Sequence, residues 1–496
     1  MSTLPVNLYR AEQCRELDRL AIQEYGISGN ILMERAGEAA FAALRAAWPE
    51  ARRITVLCGI GNNGGDGFVV ARLAREQGFD VDVYQIGDAA RIQGDALAAR
   101  QRLLGVDVVP RDWSGQPLDG TDVLVDALLG TGLGGEVRSP FREAIEAVNG
   151  TGVPVLALDI PSGLDADTGM PHGVAIRATE TITFIGLKPG MLTALGPDHC
   201  GELRFDDLKL PAEIYARIRP AARRLVTGEL RQALRPRPRA SHKGDFGHVL
   251  LVGGNHGMSG AVRLAGEAAL RTGAGLVSIA TRRDHAPVVS AARPELMSHG
   301  IESAEALKQL SARATVIAAG PGLGRDDWAR EMIAIAVARN LPVVVDADAL
   351  NLLANIPLQR PDWILTPHPG EAARLLETDT AEVMADRFAA ARRLAEKYSA
   401  TVVLKGVGTI VQPRDGIPGI CTAGNPGMAT AGMGDVLTGV IAALVAQGLS
   451  LTEAAGLGVC LHAEAGDLAV RGIGERGLLA GDMMAPLRRL SNEESG

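Results

Sequence analysis

The sequence predicts an α/β protein of two domains. Three observations carry this. Short β-rich runs alternate with helical patterns, the alternation occurs twice, and an Arg- and Pro-rich stretch separates the two rounds. Strands spaced by helices imply a mostly parallel sheet covered on both faces. The 496 residues exceed what one core usually holds. Hydrophobic residues at 47% are enough to fill two cores, and 22% charged residues is ordinary for a globular chain. A net charge of −8 disfavours general affinity for nucleic acid or anionic membrane, and 3% aromatic residues leave little for a base-stacking platform.

In the first round, residues 10–46 read as helical. ITVLCGI (54–60), VDVYQIG (81–87), DVLVDALLG (122–130), PVLALDI (154–160) and TITFIG (181–186) read as strands. The segment 212–243 is rich in Arg and Pro and reads as a solvated linker, with a polyphosphate-binding strip as the rival reading. A boundary within 225–240 gives domains 1–225 and 226–496. In the second round the strands are HVLLVGG (248–254), GLVSIA (275–280), ATVIAAG (314–320), PVVVDAD (342–348), WILTP (363–367) and TVVLKG (401–406). Hairpin-like TIVQ (409–412) and GICTA (419–423) follow, then apolar helices over about 434–447 and 451–471.

Cys14, Cys58, Cys200, Cys421 and Cys460 form no CxxC, so free thiols in a reducing compartment are expected. MSTLPVNLYRAEQ lacks a basic region followed by an apolar one, and VLTGVIAALVAQGL is too short to read as a membrane span. A cytoplasmic protein without membrane or nucleic-acid partners is expected.

GIGNNGGDG (59–67) follows a strand, opens a helix and fits GxGxxG. Glycines there let the backbone approach a phosphate, and the helix N-terminus offers unpaired N–H groups to an anion. A tight turn without ligand is the simpler reading. Asn62, Asn63 and Asp66 add side-chain oxygens suited to a monovalent cation or to polar groups of a ligand. Asp126 and Asp159 stand at further strand ends, so Asn63, Asp126 and Asp159 are expected to share one crevice. For either Asp alone, a turn or capping role competes with chemistry.

GNNGGDG, DALLGTGLGG and DIPSGLDADTG resemble the N-terminal domain of the YjeF family, NAD(P)H-hydrate epimerase, over most of residues 10–215. The resemblance implies a Rossmann-like three-layer domain. It implies that Asn62, Asn63, Gly64, Gly65 and Asp66 contact the hydrated dinucleotide. Gly130, Thr131, Gly132, Leu133, Gly134, Gly135 and Glu136 would form a second substrate loop. Asn63, Asp126 and Ser162 would bind K+, and Asp159 would be the catalytic or substrate-binding acid. Lys188, in FIGLKPG, matches a further family position. The implied chemistry interconverts R and S hydrates at C6 of the reduced nicotinamide ring, where loss and regain of water need an acid–base group.

In the second domain, GNPGMATAGMGD (424–435) precedes an apolar helix, and its successive N–H groups make an anion nest. Asp435 falls in the first helical turn, either as a simple cap or as a base aimed at a substrate hydroxyl. LKGVGT (404–409) and TPHPGE (366–371) bring Lys405, His368 and Glu371 to strand ends, beside the glycine-rich exits GGNHGMSGA (253–261) and GPGLG (320–324). A lone His is more often structural, but flanking prolines pin His368.

SHKGDFGHVLLVGG, GPGLG, DADAL, TPHPGE, LKG and AGMGD, in that order over about 230–490, resemble the ADP/ATP-dependent NAD(P)H-hydrate dehydratase family, whose fold is a ribokinase-like three-layer domain. The resemblance implies that Asp435 activates the C6 hydroxyl for phosphorylation. Lys405, Gly406, Val407, Gly408, Thr409 and Gly434 would bind the adenine nucleotide, and Ala261, Gly322 and His368 would line the hydrate site. It implies Mg2+ and ADP as cofactors, AMP and phosphate as by-products, and the hydrates NADHX and NADPHX as substrates; a homo-oligomer is a separate expectation that no motif carries. A small-alcohol kinase would also fit AGMGD, and a non-catalytic scaffold would also fit the N-terminal half. The retained Asn63, Asp126 and Asp159 oppose the scaffold reading.

Overall fold

The computed structural model describes residues 4–118, 120–356 and 358–492. It divides into two compact units, Met1–Arg223 and Arg224–Gly496.

In the first unit, helices α1 (Ala11–Gln23) and α2 (Gly29–Ala47) precede strand β1 (Arg53–Cys58) and helix α3 (Asn62–Glu76). The stretch expected as one helical region is two helices. Gly26 takes φ +69°, and Ser28 caps α2 by accepting from the Ile31 N–H. Then come β2 (Asp80–Gln85), α4 (Gly94–Leu104), β3 (Arg111–Asp112), β4 (Val123–Ala127), α5 (Phe141–Thr151), β5 (Val155–Leu158), β6 (Glu180–Phe184) and β7 (Glu202–Asp206). All strand pairs in this sheet are parallel, in the order β3-β2-β1-β4-β5-β6-β7. The edge strands β3 and β7 carry no continuous apolar run, so hydrophobic pattern alone does not reveal them.

The chain runs outward from β1 and returns to β4 on the other side, which sets a topological switch point between these two strands. Ligands of open α/β sheets bind at the carboxyl ends of the strands beside such a point. The loops leaving β1 and β4 are the two glycine-rich runs. Their approach is close: a Cβ on Gly59 would stand 1.9 Å from the Leu128 carbonyl oxygen, and within the first loop one on Gly64 would stand 2.1 Å from the Gly59 carbonyl oxygen. Gly64→Ala is expected to destabilise the N-terminal unit by about 3 kcal/mol through overpacking, read as a lowered denaturant midpoint.

The second unit contains β8 (His248–Val252), α6 (Ser259–Thr272), β9 (Leu276–Thr281), β10 (Met297–Gly300), β11 (Val316–Ala319), α7 (Asp327–Ala338) and β12 (Val343–Val345). It continues through α8 (Ala347–Leu353), β13 (Trp363–Leu365), α9 (Pro369–Leu376), α10 (Arg387–Tyr398), β14 (Thr401–Leu404), β15 (Thr409–Gln412) and β16 (Gly419–Cys421). Helices α11 (Met433–Ala446) and α12 (Leu451–Val470) follow. The strand order is β16-β15-β14-β13-β12-β11-β8-β9-β10, parallel except where β15 pairs antiparallel with β14 and β16. Here the switch point lies between β8 and β11. Their exits are GGNHGMSGA and GPGLG. Apolar residues all round α11 and α12 bury both helices in the core of this unit.

The Arg-rich segment expected as a solvated linker is folded. Ala212–Ala216 and Thr227–Arg231 are short helices, and Leu225, Leu230, Ala233 and Leu234 pack on the C-terminal core. Apolar residues interleaved with the arginines supply that burial, and the Arg237 guanidinium stacks 3.7 Å from the Phe246 ring centre. The five cysteines are free and buried. Among the described residues, no helix is long and apolar enough to cross a membrane.

Candidate active sites

In the N-terminal unit, a cavity of about 570 Å³ opens at the carboxyl ends of β1, β4 and β5. Asn62, Asn63, Asp66, Gly130, Thr131, Gly132, Leu133, Gly134, Asp159 and Lys188 line it. Gly64 and Gly65 are buried behind it in the first turn of α3, where Gly65 packs against Met33. Gly135 and Glu136 lie outside the lining, and Glu136 accepts from Arg142 at 2.7 Å.

Asp159 sits just past β5 with φ +64°, a conformation uncommon for a non-glycine residue. Its carboxylate is bound by the Lys188 ammonium, which also donates to Thr183 Oγ1 at 2.7 Å and to the Phe184 carbonyl at 3.3 Å. Lys188 is 1% exposed. Burial works to lower its pKa, but Asp159, Cys14 and Asp18 together outweigh burial and hold it raised. Lys188 therefore stays charged and fixes Asp159.

Asp126 is buried beneath the cavity rather than lining it. It accepts from Ser162 N at 2.8 Å, Ser162 Oγ at 2.6 Å and Leu128 N at 3.2 Å. The turn role is thus real for Asp126. Burial pushes its carboxyl up to about 6, against the lowering effect of these bonds. Nearby, both polar atoms of the buried Asn63 amide lack a hydrogen-bond partner. A Cβ on Gly130 would lie 3.4 Å from Asn63 Cβ and 3.7 Å from Asp159 Oδ2, so the amide, the loop and the acid adjoin. An orphaned buried amide is costly unless something absent from the protein satisfies it.

The residue missed in the sequence is Asp18 on α1. It lines the same cavity, and burial, with Asp159 adding, pushes it up to about 6 against Lys188. CRELDRL reads as an ordinary amphipathic helix, so no local signal marks it.

The C-terminal site gathers at strand ends in the same way. Asp346, just past β12, is 1% exposed. It accepts from Lys405 Nζ, Thr366 Oγ1 and Thr438 Oγ1, each at 2.8 Å. A Cβ on Gly434 would lie 3.5 Å from Lys405 Nζ and 3.7 Å from Asp346 Oδ2, which places the AGMGD turn over this pair. The cap of α11 is Gly432, without a side-chain cap bond, so Asp435 is not the helix cap. Burial is the main cause of its raised pKa of about 7. Asp346 and Asp348 add to the rise and Lys405 opposes it. A carboxyl poised near neutrality in such a place suits proton abstraction.

Gly322 and Ala261 meet at the switch point: a Cβ on Gly322 would stand 3.1 Å from Ala261 Cβ. His368 has a structural task. Its Nδ1 accepts from the Gly370 and Glu371 N–H groups at the start of α9, and its own N–H donates to Glu371 Oε2 at 2.9 Å. Most of its side chain stays open to solvent. Glu371 also stands 3.8 Å from Lys405, which ties this turn to the Lys405 cluster.

The loop Lys405–Thr409 rests on a second residue that the sequence did not mark. The guanidinium of Arg387, buried on α10, donates to the carbonyls of Leu404 at 3.1 Å, Lys405 at 3.0 Å and Val407. Burial lowers its pKa to about 10. Arg387→Met would strand these carbonyls. Where that loop holds a nucleotide, as the family resemblance implies, the change is expected to raise its KM about tenfold and leave kcat within about threefold, separable by steady-state kinetics.

Comparison with known proteins shows the family of each half of the chain. A family described as YjeF-related protein N-terminus matches residues 29–190, and one described as NAD(P)H-hydrate dehydratase matches 249–486. The bifunctional NAD(P)H-hydrate repair enzyme Nnr of Coxiella burnetii is 51% identical over 98% of this chain and 99% of its own length. That of Escherichia coli is 43% identical over 99% and 95%. A crystal structure of a ribokinase-like superfamily protein from Enterococcus faecalis superposes on 55% of this chain and 95% of its own, with 31% identity and a TM-score of 0.51. The chain belongs to the bifunctional NAD(P)H-hydrate repair enzymes, with a Rossmann-like epimerase domain and a ribokinase-like dehydratase domain.

Proposed function

We propose that the dehydratase site consumes ADP and that Asp435 is its base. The observation that carries this reading is the position of the AGMGD turn over Lys405 and Asp346, with the Asp435 carboxyl raised to about 7. Asp435 takes the proton of the C6 hydroxyl as that oxygen attacks the terminal phosphorus of ADP. AMP leaves. The phosphate ester is a far better leaving group than hydroxide. The ring-nitrogen lone pair expels phosphate, and loss of a C5 proton restores the dihydropyridine. Lys405 and the N–H groups of Gly406, Val407, Gly408, Thr409 and Gly434 hold the diphosphate, while Ala261, Gly322 and His368 flank the hydrate. Mg2+, when bound, would neutralise charge across the phosphates. Incubating S-hydrate with ADP and measuring AMP, phosphate and NADH tests the reading. A 1:1:1 yield is expected, and a stable phosphorylated product would refute it.

In the epimerase site, Asp159 serves as acid–base group, with Lys188 fixing it. Asn62, Asn63, Asp66 and the loop Gly130–Gly134 bind the dinucleotide. The unpartnered Asn63 Oδ1 and the buried oxygens of Asp126 and Ser162 fit K+, a hard cation that binds oxygen. Asn63→Ala is expected to raise the K+ concentration needed for half-maximal epimerase activity about tenfold or more, with dehydratase activity unchanged. Equal K+ dependence in the variant and the parent would contradict this.

A further inference from the structure

Epimerisation at C6 requires proton transfer on both faces of one ring carbon. The hydroxyl leaving one face must gain a proton, and the water adding to the other face must lose one. A single carboxyl on one face cannot serve both. Asp159 and Lys188 supply one side. Helix α1 lays a second carboxyl into the same cavity. Cys14, Asp18 and Ile22 recur every four residues on one helix face and, with Arg15, line that space. The face is anchored. Cys14 Sγ donates to the Gly186 carbonyl at 3.8 Å, two residues before Lys188, and Arg15 donates to the Thr131 carbonyl at 3.2 Å. No described residue is hydrogen-bonded to the Asp18 side chain, which is only partly buried and so reachable.

We propose that Asp18 is the second acid–base group of the epimerase, serving the face of the nicotinamide ring opposite Asp159. The proposal rests on the reading of Asp159 given above. On the departing face, a protonated carboxyl gives its proton to the C6 hydroxyl. The C–O bond breaks with its electron pair going to the leaving water, and the N1 lone pair forms N1=C6. On the opposite face, a water forms the new C–O bond, its proton passes to the ionised carboxylate there, and the N1=C6 pair returns to nitrogen. One water leaves, one enters, and nothing is oxidised. The two carboxyls end with exchanged protonation, the state from which the reverse conversion starts.

The groups around Asp18 suit this division. Burial raises it to about 6, Asp159 adds to that and Lys188 opposes it, while Asp159 is bound directly by Lys188. Cys14 and Arg15 are the other titratable groups on its face of α1. Asp66 is raised well above its ordinary value, chiefly by burial and then by Asp159 and Asp18.

The test uses the full chain, one pure hydrate epimer at a time, and water labelled with heavy oxygen, without ADP. Exchange of the C6 oxygen and inversion at C6 are followed separately. Asp18→Asn is expected to lose inversion by about a hundredfold or more and still exchange the oxygen of one epimer, through Asp159. Asp18→Glu is expected to restore part of the inversion, and Asp159→Asn to confine exchange to the other epimer. Inversion by Asp18→Asn within about threefold of the parent, or loss of exchange in both epimers together with inversion, would overturn the role of Asp18. Full inversion by Asp159→Asn would instead overturn the assignment of Asp159, whatever Asp18→Asn does.

Discussion

Asp435→Asn is expected to lower dehydratase kcat about 10³-fold, the worth of a positioned general base, with epimerase activity intact. The base must be ionised to act. With its carboxyl raised to about 7, the rate of the parent enzyme should fall as pH drops through 7 rather than near 4. Stability moves the other way. A carboxyl whose folded pKa is raised binds its proton more tightly when folded. Its contribution is complete below the ordinary value of 3.8 and is lost as pH rises through about 7. The C-terminal unit of Asp435→Asn should therefore melt with the parent near pH 4 and several degrees above it at pH 8. A variant that loses activity and gains stability in this window has lost a functional charge, not its fold. Equal melting at pH 8 would count against the raised carboxyl.

Asp159→Asn is expected to lower epimerase turnover about 10²- to 10³-fold while dehydration of pure S-hydrate continues at the parent rate. The substitution also leaves the Lys188 ammonium buried without its carboxylate, at 1% exposure. Some loss of stability in the N-terminal unit should accompany it, because an uncompensated buried charge is strongly unfavourable. Lys188→Met, which removes the charge while keeping much of the volume, should lose less stability in the Asp159→Asn background than in the parent. That comparison forms a double-mutant cycle, and additive effects would deny the pairing.

Much of this was legible in the sequence because both domains place chemistry at strand ends. Val343–Val345 followed by Asp346, or Thr401–Leu404 followed by Lys405, announce themselves as an apolar run with a polar residue behind it. Glycine runs mark the same places, since a backbone that must approach a ligand excludes side chains. Contacts made across the fold stayed hidden. Thr438 meets Asp346 from 92 residues away, and Arg387 supports a loop that begins 18 residues later. Arg387 lies in RFAAARRLAEK, where an arginine reads as a solvated helix face. Only the fold turns it inward. The Arg-rich segment misled for the opposite reason: its charges were conspicuous, and the leucines that fasten it to the C-terminal core were not.

One measurement bears on the whole account. Equal amounts of R- and S-hydrated NADH are mixed with the enzyme, ADP, Mg2+ and K+, and the return of NADH absorbance is followed to its endpoint. Two linked sites of the kind described predict complete recovery with the parent enzyme, recovery stalling near half on the same timescale with Asp159→Asn, and none with Asp435→Asn. Accumulation of a phosphorylated hydrate without NADH, or complete recovery at the parent rate by Asp159→Asn, would contradict it.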